Sequence, residues 1–254
     1  MTLSTFAQNL FSLEDKRALV TGAGRGIGAA IAKGLAGFGA EVVVHDMTEE
    51  AARQTCDTIK AAAGLCRAVG SDLSAPGAGR GLIEMVGPID ILVINASAQI
   101  NGEIETITND NFDEHIAVNL RSTVDMLQAC LPKMAERGWG RVVSIGSINQ
   151  LRPKPVVTIY AATKAAQHNL IQSLARQYAP QGVLLNTLAP GLVDTERNAA
   201  RRNQDAEGWA AYVRNLNWMG RAGHVDEMVG AAVFLSSNAC SFMTGETIFV
   251  TGGY

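Results

Sequence analysis

The chain has little of what would build a metal centre, a disulfide framework, a membrane span or a polyanion-binding surface. Its four cysteines, Cys56, Cys66, Cys130 and Cys240, are scattered without a C-x-x-C, and His45, His115, His168 and His224 show no ligand spacing. That pattern suits reduced, packed thiols and surface or packing histidines, so neither a metal nor a disulfide is expected. Basic residues are not in excess: 21 Lys and Arg stand against 24 Asp and Glu, a net charge of −3. No field is available to hold nucleic acid or an anionic membrane. No apolar run approaches the ~20 residues of a bilayer span. The first residues offer Thr, Ser, Gln and Asn where a secretory signal would have a basic start and an apolar centre. The expectation is a soluble cytoplasmic protein whose partner is a small molecule.

What is present is material for a large core. With 254 residues, 47% of them hydrophobic and 18% charged, the chain fits one α/β domain over 1–254 better than two small ones. Apolar, β-branched runs at 17–21, 41–45, 89–94, 140–146, 182–187 and 246–250, with a weaker one at 65–69, alternate with stretches of helical length. Strands alternating with helices predict a doubly wound parallel sheet, a Rossmann fold in three α/β/α layers, with ligands at the carboxyl ends of the strands. Residues 1–14 read as a short arm before the first strand. The segment at 194–223 is the least regular, with Arg197, Arg201 and Arg202 among Trp209, Tyr212 and Trp218. It is expected to form a lid over the substrate.

Two motifs carry chemistry. VTGAGRGIG, Val20 to Gly28, follows an apolar run and opens a helical one. Glycines permit a tight turn with close backbone approach, and a helix N-terminus supplies unpaired N–H groups for a pyrophosphate. Further along, Tyr160 and Lys164 are four residues apart in YAATK, one turn apart on a helix. A phenol is a poor base at neutral pH unless a neighbouring cation favours its ionised form. A Tyr so placed exchanges a proton with an alcohol or carbonyl oxygen.

In their order, VTGAGRGIG, HD at 45–46, SDL at 71–73, INAS at 94–97, VNL at 118–120, VVSIGS at 142–147, YAATK at 160–164, APGLVDT at 189–195 and TGETIFVTGG at 244–253 resemble the short-chain dehydrogenase/reductase family over nearly the whole chain. The resemblance implies a catalytic set of Asn119, Ser147, Tyr160 and Lys164. Tyr160 would be the acid/base, and Ser147 would orient the substrate oxygen. Lys164 would lower the Tyr160 pKa and hold the nicotinamide ribose, and Asn119 would position a water leading from Lys164 to solvent. It also implies cofactor contacts: Gly22, Gly26, Ile27 and Gly28 at the pyrophosphate, Arg25 directly before Gly26, Asp72 and Leu73 at the adenine, Asn95 along the adenosine, and Pro190, Gly191, Val193 and Thr195 at the nicotinamide amide. Asp46 closes the second strand, where a carboxylate accepts from the adenosine ribose and repels a 2′-phosphate. The expected cofactor is therefore NAD, although Arg25 is the kind of residue that holds the phosphate of NADP. The chain departs from the family pattern at Ile94, Ser97 and Thr251, none of them a catalytic position.

Asn149 and Gln150, just after Ser147, are expected in the substrate pocket together with Gln99 and Asn101, and their polarity suits a hydroxylated substrate. Arg152 and Lys154 could pair with a carboxylate but read better as a solvated loop. The lid and the GRAG at 220–223 are similar to sugar-acid and polyol dehydrogenases of the family. Two alternatives stay open: a 3-oxoacyl-thioester reductase using NADPH, and a non-catalytic nucleotide-sensing protein. The stretches at about 109–136 and 157–180 and the apolar tail Thr247–Val250 with Gly252, Gly253 and Tyr254 imply, by the same resemblance, a homotetramer.

Overall fold

The computed structural model describes residues 4–253. Residues 1–3 of the arm and Tyr254 of the apolar tail lie outside them. A short helix α1 (Thr5–Phe11) precedes β1 (Arg17–Val20). The chain then runs α2 (Gly26–Gly37), β2 (Glu41–Asp46), α3 (Glu49–Ala61), β3 (Cys66–Gly70), α4 (Ala78–Val86) and β4 (Ile91–Ile94). The second half continues with α5 (Asn109–His115), α6 (Ser122–Glu136), β5 (Gly140–Ile145), α7 (Thr158–Tyr178), β6 (Val183–Pro190), α8 (Ala199–Gln204), α9 (Ala206–Arg214), α10 (Val229–Ser236) and β7 (Thr247–Val250). All seven apolar runs form strands.

The strands make one sheet in the order β3-β2-β1-β4-β5-β6-β7, and every pairing is parallel. The chain winds outward from β1 to β3, then crosses back to β4 and winds the other way. The connections leaving the carboxyl ends of β1 and β4 therefore turn to opposite faces of the sheet, and a crevice opens between them. Because side chains alternate along each strand, the sheet carries two separate apolar faces. Val20, Val44, Val93, Val143 and Leu188 pack with Ile31 and Leu35 of α2 and with Ala232 and Val233 of α10. Leu19, Val43, Leu92, Val142 and Leu185 pack with Leu82 of α4, Leu127 of α6 and Ile171 of α7. Burial on both faces is why these strands read as continuous apolar runs rather than alternating ones.

Two features bear on the site. The stretch at 109–136 is broken: α5, capped by the Thr108 side chain accepting from the Asn111 amide, passes into a π-helical turn at Ile116–Arg121 before α6. The segment at 194–223 is an excursion with pinned ends. A bridge joins Val193 to Gly223, and the Asp194 amide donates to the Gly223 carbonyl at 2.8 Å. Among the described residues, no helix is long and apolar enough to cross a membrane.

Candidate active site

The glycine turn leaves β1 through Gly22 and Gly26, whose φ angles of 60° and 59° lie in the left-handed region that glycine adopts without strain. At Gly28 a Cβ would fall 2.4 Å from the Gly22 carbonyl oxygen and 2.4 Å from Asn95 Nδ2. Only glycine lets α2 start against the turn. The turn is held by Asn95, whose Nδ2 donates to the carbonyls of Thr21 at 2.9 Å and Gly22 at 2.8 Å. On its other side Gly26 faces open space, the nearest atom to an added Cβ being Thr195 Cγ2 at 3.8 Å. Arg25 precedes α2 in extended backbone and gives no side-chain cap. The first-turn N–H groups thus meet a cavity instead of a protein acceptor, and that arrangement fits a pyrophosphate.

The cavity, of about 560 Å³, runs from this turn across the crevice to Ser147, Tyr160 and Lys164. Ser147 follows β5, and its hydroxyl accepts from the Asn149 amide at 3.1 Å. Tyr160 and Lys164 stand one turn apart on α7, and both are buried. Lys164 Nζ donates to the Ile145 carbonyl at 2.7 Å and lies 5.8 Å from the Tyr160 ring centroid. Burial pushes the Tyr160 phenol up, opposed by the charge of Arg197 and by the Ser147 hydroxyl beside it. Burial, and then the like charge of Arg197, bring the Lys164 ammonium down to about 7. The sequence reading assigned the cation at the phenol to Lys164. Lys164 keeps one donor on Ile145 and stays 5.8 Å from the ring centroid, and the charge of Arg197 acts on the phenol as well.

Asn119 sits in the π-helical turn, fully buried. Its Nδ2 donates to the Ala98 carbonyl and to Thr163 Oγ1, each at 3.0 Å, while its Oδ1 accepts from the Ala98 amide at 2.8 Å. It fastens the loop after β4 to α7, and its own carbonyl accepts from Thr123 Oγ1 and Gln167 Nε2.

Of the remaining expected residues, Gly22, Arg25, Gly26, Ile27, Asp46, Asp72, Leu73 and Asn95 line the end of the cavity at the glycine turn; Asn149, Pro190, Gly191, Val193 and Thr195 line the rest. Gly28, Asn119 and Gln150 do not line it. Gln150 lies beneath Ser147, its Oε1 accepting from the Ser147 amide at 3.2 Å. The Asp72 carboxylate accepts from the Ser74 amide at 2.9 Å, and those Ser74 bonds lower its pKa. His45 is buried, as a packing residue would be, and also lines the cavity, bonded through Nε2 to Ser71; burial lowers its pKa. In the sequence Arg197 reads only as part of a polar, Arg-rich lid segment. Its position directly after the PGLVDTE stretch was the available signal, but nothing in the sequence gave the direction of its side chain.

Sheet order and cavity together define a dinucleotide-binding oxidoreductase. The enoyl-(acyl carrier protein) reductase family profile matches residues 22–254, and the chain belongs to the short-chain dehydrogenase/reductase family. A gluconate 5-dehydrogenase of Gluconobacter oxydans is 36% identical over 250 residues, 96% of each chain. Among solved structures, a 3-oxoacyl-(acyl-carrier-protein) reductase of Agrobacterium tumefaciens with NADP bound is 64% identical, with a TM-score of 0.95 over 97% of each chain. A gluconate 5-dehydrogenase of Burkholderia cenocepacia in complex with NADP and tartrate is 35% identical, with a TM-score of 0.90 over 97% of each chain.

These relatives correct the cofactor. NAD was expected from Asp46, yet both solved structures hold NADP. The geometry supplies the reason. Asp46 Oδ2 accepts from the Gly24 amide at 2.9 Å and Oδ1 from the Met47 amide at 2.8 Å, so the carboxylate is committed to the turn's backbone. Arg25, by contrast, stands exposed at the mouth with its guanidinium on Glu196, a surface pair that an incoming phosphate can exchange.

Proposed function

We propose that the protein transfers a hydride between NADP(H) and a small polar secondary alcohol or ketone, a polyol, sugar or sugar acid, and works as a cytoplasmic homotetramer with 194–223 as its lid. The observation that carries this reading is one cavity joining an uncapped glycine-turn helix to a buried Tyr160 with Ser147 and Lys164 beside it. Gln99, Asn149 and Asn198 add polar groups along the lining.

Backbone N–H groups at Gly26 and Ile27 would hold the pyrophosphate, Arg25 the 2′-phosphate, Asp72 and Leu73 the adenine, Lys164 the nicotinamide ribose, and Pro190 to Thr195 the carboxamide. Bound there, the nicotinamide supplies the hydride acceptor or donor. In the oxidative direction Tyr160 takes the proton of the alcohol oxygen as the carbinol C–H bond breaks, and in reduction it returns that proton to the carbonyl oxygen. Ser147 donates to the same oxygen and keeps it at the phenol. Asn119 acts by position, holding the 95–98 loop to the helix that carries Tyr160.

A second reading, reduction of a 3-oxoacyl thioester, is favoured by the name of the 64% identical Agrobacterium protein. One panel separates the two: polyols, aldoses and sugar acids with NADP⁺, and an acetoacetyl thioester with NADPH. Turnover of the polar alcohols with little of the thioester supports the first reading. Turnover of the thioester alone replaces it with the second.

A further inference from the structure

Arg197 is the second residue of the short turn Glu196–Asn198, directly after Thr195. Its guanidinium reaches across the cleft, Nη1 donating to Gln99 Oε1 at 3.0 Å and Nη2 to the Ser97 carbonyl at 3.1 Å and hydroxyl at 3.4 Å. All three acceptors are neutral. Of the other arginines around the excursion, Arg202 pairs with Asp194, Arg221 with Glu227 and Arg25 with Glu196, while Arg201 lies over the rings of Trp209 and Tyr212 instead. Among the described residues no carboxylate pairs with Arg197, although its charge acts on both Tyr160 and Lys164.

The same is true of Lys154, which lines the cavity and donates to the Tyr212 hydroxyl without an acidic partner. The carboxylates that do line the cavity are at its cofactor end: Asp46 and Asp72 beyond β2 and β3, and Glu196 on Arg25. Arg197 and Lys154 thus face the reacting end beside Lys164, and among the described residues no carboxylate pairs with either. Arg197 is exposed at the rim of the cleft, so its charge is hydrated until something covers it; a latch between lid and loop would need only donors to Ser97 and Gln99, whereas a full charge there also attracts an anion into the cleft.

We infer that Arg197, assisted by Lys154, binds a carboxylate of the substrate, so that the enzyme selects a hydroxy acid or oxo acid over the neutral polyol of the same length. The inference rests on the hydride-transfer reading above and names the substrate class within it. Guanidinium and carboxylate match as a two-bond fork.

The test compares gluconate with sorbitol as substrates of the wild type, Arg197→Gln and Lys154→Met, and follows tartrate binding to the NADP⁺-loaded protein by calorimetry, which needs no turnover. The Kd for NADPH checks that each variant is folded. Wild type should favour the acid. Arg197→Gln should lose roughly 10²-fold in kcat/KM for gluconate, mainly through KM, and at least about tenfold less for sorbitol. Lys154→Met should show a smaller loss of the same kind, and tartrate binding should weaken in both variants and with added salt. Equal losses on acid and polyol, or tartrate affinity indifferent to both substitutions, would overturn the inference. Should only an acetoacetyl thioester turn over, the hydride-transfer reading for polar alcohols fails, and the tartrate titration still decides whether Arg197 is an anion site.

Discussion

Lys164 buries an ammonium whose partners can be counted, and a stability measurement can find its cost. The residue is 2% exposed, its Nζ donates to the Ile145 carbonyl, and its pKa falls from 10.5 to about 7, chiefly through burial. In the unfolded chain the amine keeps its proton up to about 10.4, whereas in the fold it releases it near neutrality. Between those values the unfolded state binds more protons, so stability rises with pH across that window, and the penalty is fully present below it. The whole gap corresponds to roughly 5 kcal/mol, of which the interval from about pH 6 to pH 9 recovers about 2–3 kcal/mol. Lys164→Met removes the titration. Losing the bond to Ile145 adds an offset, but that offset does not vary with pH. Urea unfolding of the cofactor-free protein, at one protein concentration and at both pH values, should therefore show the wild type gaining about 2–3 kcal/mol on the variant at the higher pH. Parallel pH dependences for the two proteins would refute the argument and place the ammonium in a far wetter environment than the fold gives it.

Tyr160→Phe keeps the ring volume and deletes the proton carrier. Turnover should fall by roughly 10² or more while NADPH affinity, read by fluorescence, is retained; near-normal turnover would remove Tyr160 from the chemistry. Arg25→Ala should weaken NADPH by about tenfold and change NADH little, since only the former brings a phosphate to the guanidinium, and the loss should shrink as salt rises. Equal effects on both cofactors would place the 2′-phosphate elsewhere. Light scattering should give four times the 26.8 kDa of one chain, since Trp218, Met219, Phe242 and Phe249 leave apolar surface open near the β7 edge. A mass of one chain would refute the tetramer.

The sheet was legible because parallel strands buried on both faces leave unbroken apolar runs, and the intervals between them were long enough for crossover helices. The glycine turn was legible for a similar reason: a pyrophosphate cradle needs its glycines at fixed places. What escaped was whatever depends on direction rather than spacing. Asn119 lay in a stretch read as one helix, and the π-helical turn that aims its amide at Ala98 and Thr163 leaves no mark on apolar periodicity. Gln150 stood in the right segment for a pocket residue, yet its side chain turned under Ser147 to satisfy a buried amide.

The cofactor misreading shows the same limit in energetic form. An acidic residue at the end of β2 discriminates against a 2′-phosphate only if its charge and lone pairs are free to meet the ribose. Two backbone amides already occupy Asp46, and each draws the carboxylate toward the turn and blunts its field at the mouth. On the opposite bank Arg25 is held by Glu196, and the next residue, Arg197, reaches back across the cleft to Ser97 and Gln99. Neighbouring side chains of one short turn, Glu196 and Arg197, therefore reach Arg25 on one side and Ser97 and Gln99 on the other. A phosphate that takes Arg25 from Glu196 acts on the same turn that carries the substrate cation. On the proposed reading, cofactor and substrate both meet the turn at residues 195–197, and spacing alone could not reveal where its side chains point.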